Sequence, residues 1–201
     1  MTADHVLSLD ETTHTYRLDG RPLISVTQAL NEGGFGSWKK WCEPAALEYA
    51  SALGKAVHAA IHFYEEETLD FESVDPEVVP RLYAYQKFLL DIDAVAIATE
   101  QRVHNTLYGY AGTLDWYGLI DDEKAIIDYK SGVVHPSVGL QLAGYCGCFH
   151  APSTFRRFSL QLRADATYRL HEYPRSEFRE EFSVFCGQVA AANWKRRKGI
   201  R

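Results

Sequence analysis

Two apolar runs joined by a short acidic turn constrain the fold of this chain most strongly. The runs at 108–119 and 124–130 are rich in β-branched and aromatic residues, and Asp121, Asp122 and Glu123 lie between them. This pattern predicts two strands that pair as a β-hairpin. The fold must therefore contain a sheet that includes this hairpin.

Each strand of this hairpin carries an acid. Side chains alternate along a strand, so Asp128 and Lys130 share one face, and strand pairing would bring Asp115 beside Asp128. Converging carboxylates repel each other unless a cation lies between them, and hard oxygen ligands suit Mg²⁺ or Mn²⁺. A solvated Asp-x-Lys pair is the alternative, but the apolar run before Asp128 predicts burial, where an unpaired carboxylate is costly. The hairpin therefore predicts a metal site.

The remaining local patterns predict a mixed α/β order. Asp19 and Gly20 form a two-residue turn signal between 14–18 and 21–24, so residues 1–24 are expected to hold an N-terminal β-hairpin. Ser25 or Thr27 caps a first predicted helix to residue 30, and Asp75 with Pro76 opens another. The further predicted helices cover 37–67 with a break near Pro44, 75–90, 136–149 and 175–197; the further strands cover 94–103, 155–163 and 167–173.

Length and composition agree with one compact unit. A chain of 201 residues with 46% hydrophobic content can bury a substantial core without disulfides. We therefore expect a single domain over 1–201, of the mixed α/β class, with a central mixed β-sheet flanked by helices. Residues 195–201 form a basic C-terminal tail.

Four further segments fit one ordered motif set. Residues 54–58, Gly-Lys-Ala-Val-His, match a helical Gly-x-x-x-His motif that ends at His58, and Glu100 stands in the strand before the hairpin. Gln141 and Tyr145 match a Gln-x-x-x-Tyr motif after it, and 25–27 match the entry to a first helix. Taken in their order along the chain, the segments resemble the PD-(D/E)XK nuclease superfamily. Within it they resemble the RecB-like and phage-type exonucleases, over about residues 14–195.

The resemblance implies a restriction-endonuclease-like core and a role for each matched residue. Asp115, Asp128 and the backbone carbonyl of Tyr129 would hold one divalent ion. Lys130 would position or deprotonate the attacking water and stabilise the transition state. His58 would bind a second ion or contact the scissile phosphate. The supporting acid is Glu100, and the substrate-binding residues are Gln141, Tyr145, Ser25 and Thr27.

The implied activity is metal-dependent hydrolysis of DNA with one or two Mg²⁺ or Mn²⁺ ions. The resemblance favours an exonuclease that acts on free DNA ends in recombination, repair or replication, as a homo-oligomer or with a partner protein. A structure-specific endonuclease and a non-catalytic DNA-end-binding module of the same fold are the alternatives, because one fold hosts several activities.

The spacing of the cysteines and histidines bears on two other classes of metal protein, iron-sulfur proteins and zinc proteases. Cys146 and Cys148 are two apart, so on a helix they point in nearly opposite directions and cannot share a cluster. We therefore expect no iron-sulfur cluster. His58 and His62 have the spacing of a zinc-protease helix, but Ala59 stands where such a motif requires Glu. The protease class is excluded.

Charge is divided unevenly along the chain. The net charge is −6, but residues 1–150 carry −12 and residues 151–201 carry +6. The basic part can meet phosphates, as nucleic-acid affinity requires, although a terminal cluster also suits the negative end of a helix dipole. The candidate phosphate contacts are Arg156, Arg157, Arg163, Arg169, Lys195, Arg196, Arg197 and Lys198.

The hydropathy pattern of the chain bears on its location in the cell. No apolar run approaches the roughly 18 residues of a membrane span, and the polar N-terminus lacks the basic and then apolar order of a signal peptide. We therefore expect a cytoplasmic protein of a bacterium or of a phage-infected host, with no membrane partner.

Overall fold

The structure is a computed structural model that describes residues 5–36 and 42–200. It contains an eight-stranded mixed sheet with helices on both faces, so the predicted fold class is confirmed. No helix in the described ranges is long and apolar enough to cross a bilayer. The part of the predicted 37–67 helix at 37–41 lies outside these ranges.

The strands are β1 (Leu7–Asp10), β2 (Thr15–Leu18), β3 (Arg21–Ser25), β4 (Ala94–Asn105), β5 (Tyr110–Ile120), β6 (Glu123–Lys130), β7 (Arg156–Leu162) and β8 (Tyr168–Tyr173). The helices are α1 (Val26–Glu32), α2 (Pro44–Glu65), α3 (Val79–Ile92), α4 (Val138–Cys146) and α5 (Phe178–Lys198). Short 3₁₀ turns occur at Phe71–Ser73, Pro152–Thr154 and Arg175–Glu177.

The sheet runs in the order β1-β2-β3-β5-β6-β7-β8, and β4 pairs with the other edge of β5. The β3–β5 and β6–β7 pairs are parallel, whereas the other pairs are antiparallel. Helices α1, α4 and α5 cover one face, and α2 and α3 cover the other. The sheet is therefore buried on both sides, which explains the continuous apolar run at the start of β6.

The N-terminal segment forms a three-stranded meander. The predicted turn joins β2 to β3, with Asp19 at φ 50° and Gly20 at φ 79°, which are the left-handed angles that a two-residue hairpin turn requires. The prediction of two strands was incomplete, because β1 also pairs with β2.

Helix α3 begins later than predicted. The Asp75 side chain accepts a hydrogen bond from the backbone N–H of Glu77, and its carbonyl accepts one from Val78. These bonds close a separate turn, and the helix starts at Val79 with Pro80 in its first turn. Pro76 does follow a capping aspartate, but a second proline four residues later, Pro80, sets the helix start.

Candidate active site

A fork in the sheet creates the site. On one edge, β5 pairs with β3 only at Tyr110 and Ala111, and with β6 only from Trp116 onward. The segment 112–115 therefore lies between two neighbouring strands and pairs with neither of them. On β6, the last residue that pairs with β5 is Ile127. A cleft opens where the two strands of the predicted hairpin separate.

Asp115 satisfies the backbone at this fork. Its Oδ2 accepts a 2.7 Å hydrogen bond from the backbone N–H of Tyr129, a donor that has lost its partner on β5. A buried N–H without an acceptor is costly, so this bond stabilises the divergence of the strands. It also fixes the orientation of the carboxylate, which leaves Oδ1 facing the cleft.

Three potential metal ligands meet at the cleft from three elements. His58 comes from α2, Glu100 from β4 and Asp115 from β5, and their ligand atoms all lie within 4.8 Å of one another. His58 Nδ1 is 3.4 Å from Glu100 Oε1 and 3.4 Å from Asp115 Oδ1. We call these three residues the donor group.

The chemistry of the donor group fits a divalent cation. Glu100 Oε1 is buried and accepts no hydrogen bond, although His58 Nδ1 lies 3.4 Å away, so this carboxylate oxygen keeps bonding capacity for a metal ion. Glu100 also has φ 49°, a left-handed angle that is rare for glutamate and is common at functional sites. Its neighbours Thr99 and Gln101 pair with Trp116 and Leu114, so Glu100 lies opposite Asp115.

Asp128 belongs to a second set of contacts. It forms an ion pair with Lys130, and its Oδ1 accepts a 2.6 Å hydrogen bond from Gln141 Nε2 on α4. Asp128 is only 1% exposed. The structure thus brings Glu100 rather than Asp128 into the donor group and leaves Asp128 next to it. The sequence-based assignment of Asp128 and the Tyr129 carbonyl as metal ligands stays a prediction.

The buried charges perturb one another. Burial lowers the pKa of His58, but the Asp115 and Glu100 carboxylates more than offset this and raise it to about 10. Burial raises the pKa of Asp128 to about 6, against the opposing effect of Lys130. Burial also disfavours charged Lys130, yet the Asp128 and Asp115 carboxylates hold its pKa above the usual value. Lys130 is therefore a cation at neutral pH.

One cleft of about 800 Å³ contains every site residue that the sequence predicted. Strands β5 and β6 form its floor, and α1, α2, α4 and the edge of β4 form its walls. These residues are His58, Glu100, Asp115, Asp128, Tyr129, Lys130, Gln141, Tyr145, Ser25 and Thr27. The structure thus brings together residues that lie more than 100 positions apart.

Two of the predicted substrate-binding residues also have structural roles. Ser25 is the N-cap of α1, where its Oγ accepts a 3.0 Å hydrogen bond from the N–H of Gln28. The Tyr145 ring packs on Gly112, where an added Cβ would lie 2.8 Å from Cε1 of the ring. Glycine at 112 thus permits this close contact. Gly54 is different, since a Cβ there would make only an ordinary 3.6 Å contact with Ser131.

Sequence reasoning assigned no role to three other groups in the cleft. Lys55 is exposed and lies three residues before His58, a helical spacing that indicates a shared face. Arg102 pairs with Glu11 at 3.0 Å, and Tyr16 Oη lies 2.8 Å from Thr113 Oγ1. The last two contacts join distant segments, so no local pattern could reveal them.

Two predicted phosphate contacts are wrong. Arg157 is fully buried, pairs with Glu181 and donates to the carbonyl of Pro174 at 2.8 Å. Arg156 is held by Glu172 and Asp121. Charge counts could not reveal this, because they do not record which arginines already have carboxylate partners.

His62 lies on the rim of the cleft, where its Nδ1 is 2.6 Å from Thr99 Oγ1.

Three cysteines lie away from the cleft on the α4 and α5 side. Burial raises the pKa of the Cys148 thiol to about 12 and that of Cys186 to about 11. Burial also raises the pKa of Cys146. In the metal-free protein these thiols are therefore protonated at neutral pH.

Comparison with known proteins gives structural neighbours of low sequence identity. No family model matches the chain, and no curated protein matches it. The chain is similar to an alkaline exonuclease (LHK-Exo) from Laribacter hongkongensis at a TM-score of 0.35 and 18% identity, over 59% of this chain and 69% of that one. A structure of LHK-Exo in complex with dAMP gives 0.30 and 14%, over 88% and 93%. The interpretation of the site therefore rests on its own geometry.

Proposed function

We propose that this protein is a divalent-metal-dependent deoxyribonuclease that hydrolyses phosphodiester bonds at DNA ends. The observation that best supports this proposal is the cleft at the fork, where a three-residue donor group lies beside a buried lysine–carboxylate pair. Such a cleft can hold a phosphodiester between a metal ion and a fixed cation.

The donor group would hold the metal. His58, Glu100 and Asp115 offer one nitrogen and two carboxylate ligands, and the predominance of oxygen favours Mg²⁺ or Mn²⁺. When bound, such an ion supplies a Lewis acid that polarises a phosphoryl oxygen and makes water more acidic. Asp128 and the Tyr129 carbonyl are the further ligands that the resemblance implies.

Lys130 would act as a cation. Its pKa is held above the usual value, so at neutral pH it keeps its proton and stabilises the additional negative charge of the transition state. Asp128 pairs with the lysine, and Gln141 in turn donates a hydrogen bond to Asp128.

In the proposed reaction, water attacks the phosphorus and one phosphorus–oxygen ester bond breaks. One product keeps the phosphate and the other gains a hydroxyl group. The preference for ends, the role in recombination, repair or replication, and assembly as a homo-oligomer or with a partner protein follow only from the sequence resemblance. They are part of the proposal.

The test compares end-labelled linear DNA with circular DNA, single- and double-stranded, in Mg²⁺, Mn²⁺ or EDTA. We expect linear DNA to be lost in either metal and to be preserved in EDTA. Asp128→Ala should abolish the loss. Glu123→Ala, an exposed carboxylate at the other end of the same strand, is the matched control and should retain it.

The outcomes separate the alternatives. Cleavage of circular and linear DNA at equal rates would replace the exonuclease with an endonuclease. Binding to DNA ends without cleavage in either metal would favour the non-catalytic module and contradict the proposed enzyme.

A further inference from the structure

The last turn of α5 carries a dense positive charge that the proposed chemistry does not use. Lys195, Arg196, Arg197 and Lys198 are consecutive and exposed, and we call them the basic turn. The net charge of the chain is −6, and without these four cations it would be −10. The basic turn is therefore a local concentration of positive charge on a protein whose net charge is negative.

The basic turn lies next to the wall of the cleft. Arg196 donates a 2.7 Å hydrogen bond to Glu32 at the end of α1 and a 3.5 Å hydrogen bond to Oε1 of Gln28. The same Gln28 oxygen accepts a 3.1 Å hydrogen bond from the backbone N–H of Ser25. Since Ser25 and Thr27 line the cleft, a single side chain separates Arg196 from that wall.

In the part of the chain that the structure describes, the other three cations of the basic turn have no carboxylate partner. Within 5–36 and 42–200, no ion pair involves Lys195, Arg197 or Lys198. Several arginines and lysines elsewhere are already neutralised by acids: Lys87, Arg102, Arg156, Arg157 and Arg175. The basic turn thus keeps three charges available to a partner.

The helix dipole alone does not account for this density. A cation near a helix C-terminus gains about 0.3–1 kcal/mol, but neighbouring like charges in one turn oppose that gain. A polyanion bound across the turn would remove the repulsion and release counterions. The charge, the exposure and the position beside the cleft all fit one partner, the phosphate backbone of DNA.

We propose that the basic turn binds the phosphates of the DNA that flanks the scissile bond, on the α1 side of the cleft. This inference rests on the proposed function, because it takes its ligand from that function. It adds that the bound substrate extends beyond the cleft, and it identifies Lys195 and Lys198, which lie three apart and share one face of α5, as the phosphate contacts.

The experiment measures binding of a fluorescent DNA duplex by anisotropy in EDTA, between about 50 and 200 mM salt. Lys195→Gln/Lys198→Gln keeps Arg196 and its contact with α1. Lys124→Gln/Arg179→Gln removes the same charge from exposed positions at the start of β6 and of α5. Each lost contact lowers the slope of log affinity against log salt by about 0.9, so the first variant should lose about 2 and the control nothing.

The result is independent of catalysis because binding is measured without metal. A slope for Lys195→Gln/Lys198→Gln that equals the wild-type slope would overturn the inference, as would wild-type protein that does not bind the duplex. Cleavage in Mg²⁺ or Mn²⁺ is scored separately, so a protein that cleaves but shows no change in slope would keep the proposed function and lose only this inference.

Discussion

Glu100 has an unusual backbone conformation for a strand residue. Its φ of 49° costs on the order of 1–2 kcal/mol in a non-glycine residue, and its buried Oε1 accepts no hydrogen bond. A metal ion that the carboxylate faces would offset both the backbone strain and the missing hydrogen bond. The sequence alone indicated only a supporting acid, because no local pattern predicts a left-handed angle within a strand.

We predict that Glu100→Gln weakens Mn²⁺ binding by at least about tenfold, because it removes one of two carboxylates from the donor group. Isothermal titration calorimetry measures the effect directly. Glu11→Gln removes an equal charge from the rim of the same cleft and is the control. If both variants bind Mn²⁺ equally well, the donor group has been assigned to the wrong residues.

His58 should make the stability of the metal-free protein depend on pH. Its pKa is about 10 in the fold and about 6.5 when unfolded, so the folded state binds the proton more tightly. The stabilisation is fully present below pH 6.5 and is lost as the pH rises towards 10. Its upper limit is about 5 kcal/mol.

We therefore expect the free energy of unfolding in EDTA to differ between wild type and His58→Gln, with a difference that shrinks from pH 6 to pH 10. Urea unfolding at a series of pH values measures it. A difference that stays constant over this range would mean that His58 is not protonated between Asp115 and Glu100.

At the scale of elements, the packing of β5 against α4 and α1 depends on Gly112. A Cβ at this position would lie 2.8 Å from the Tyr145 ring and 3.2 Å from Cγ2 of Val26. Gly112→Ala should therefore destabilise the fold by about 1–3 kcal/mol, as overpacked cores do. Gly132→Ala, with no atom within 4 Å of the added Cβ, is the control for unfolding measurements.

A double-mutant cycle identifies the cause. In Tyr145→Ala the ring is absent, so adding Gly112→Ala should cost less than it does in wild type. Additive effects of the two substitutions would show that the ring does not constrain Gly112.

Elements with a local signal could be predicted from the sequence. The Asp19–Gly20 turn, the acidic turn before β6 and the Ser25 cap are set by residues close in the chain, and all three occur in the structure. The short strand β1 and the later start of α3 were missed or misplaced. Strand β1 depends on its pairing with β2, and the start of α3 depends on a turn that ends before the helix.

At the scale of the whole molecule, the site depends on contacts that no local pattern records. The sequence indicated that Asp115 and Asp128 lie on neighbouring strands, but not that those strands separate before Trp116 on β5 and after Ile127 on β6. It therefore could not foresee that Asp115 joins His58 and Glu100 while Asp128 joins Lys130 and Gln141. Motif order predicted the members of the cleft, and the fork in the sheet determines their partners.

The central claim is that Lys130 acts as a fixed cation beside the metal site of a nuclease. The most direct test is the rate of cleavage of linear DNA in Mn²⁺ by Lys130→Ala, with Lys124→Ala on the same strand as the control. We predict a loss of about 10²–10³-fold for Lys130→Ala, none for Lys124→Ala, and no cleavage by any variant in EDTA. Cleavage by Lys130→Ala at the wild-type rate would contradict the account.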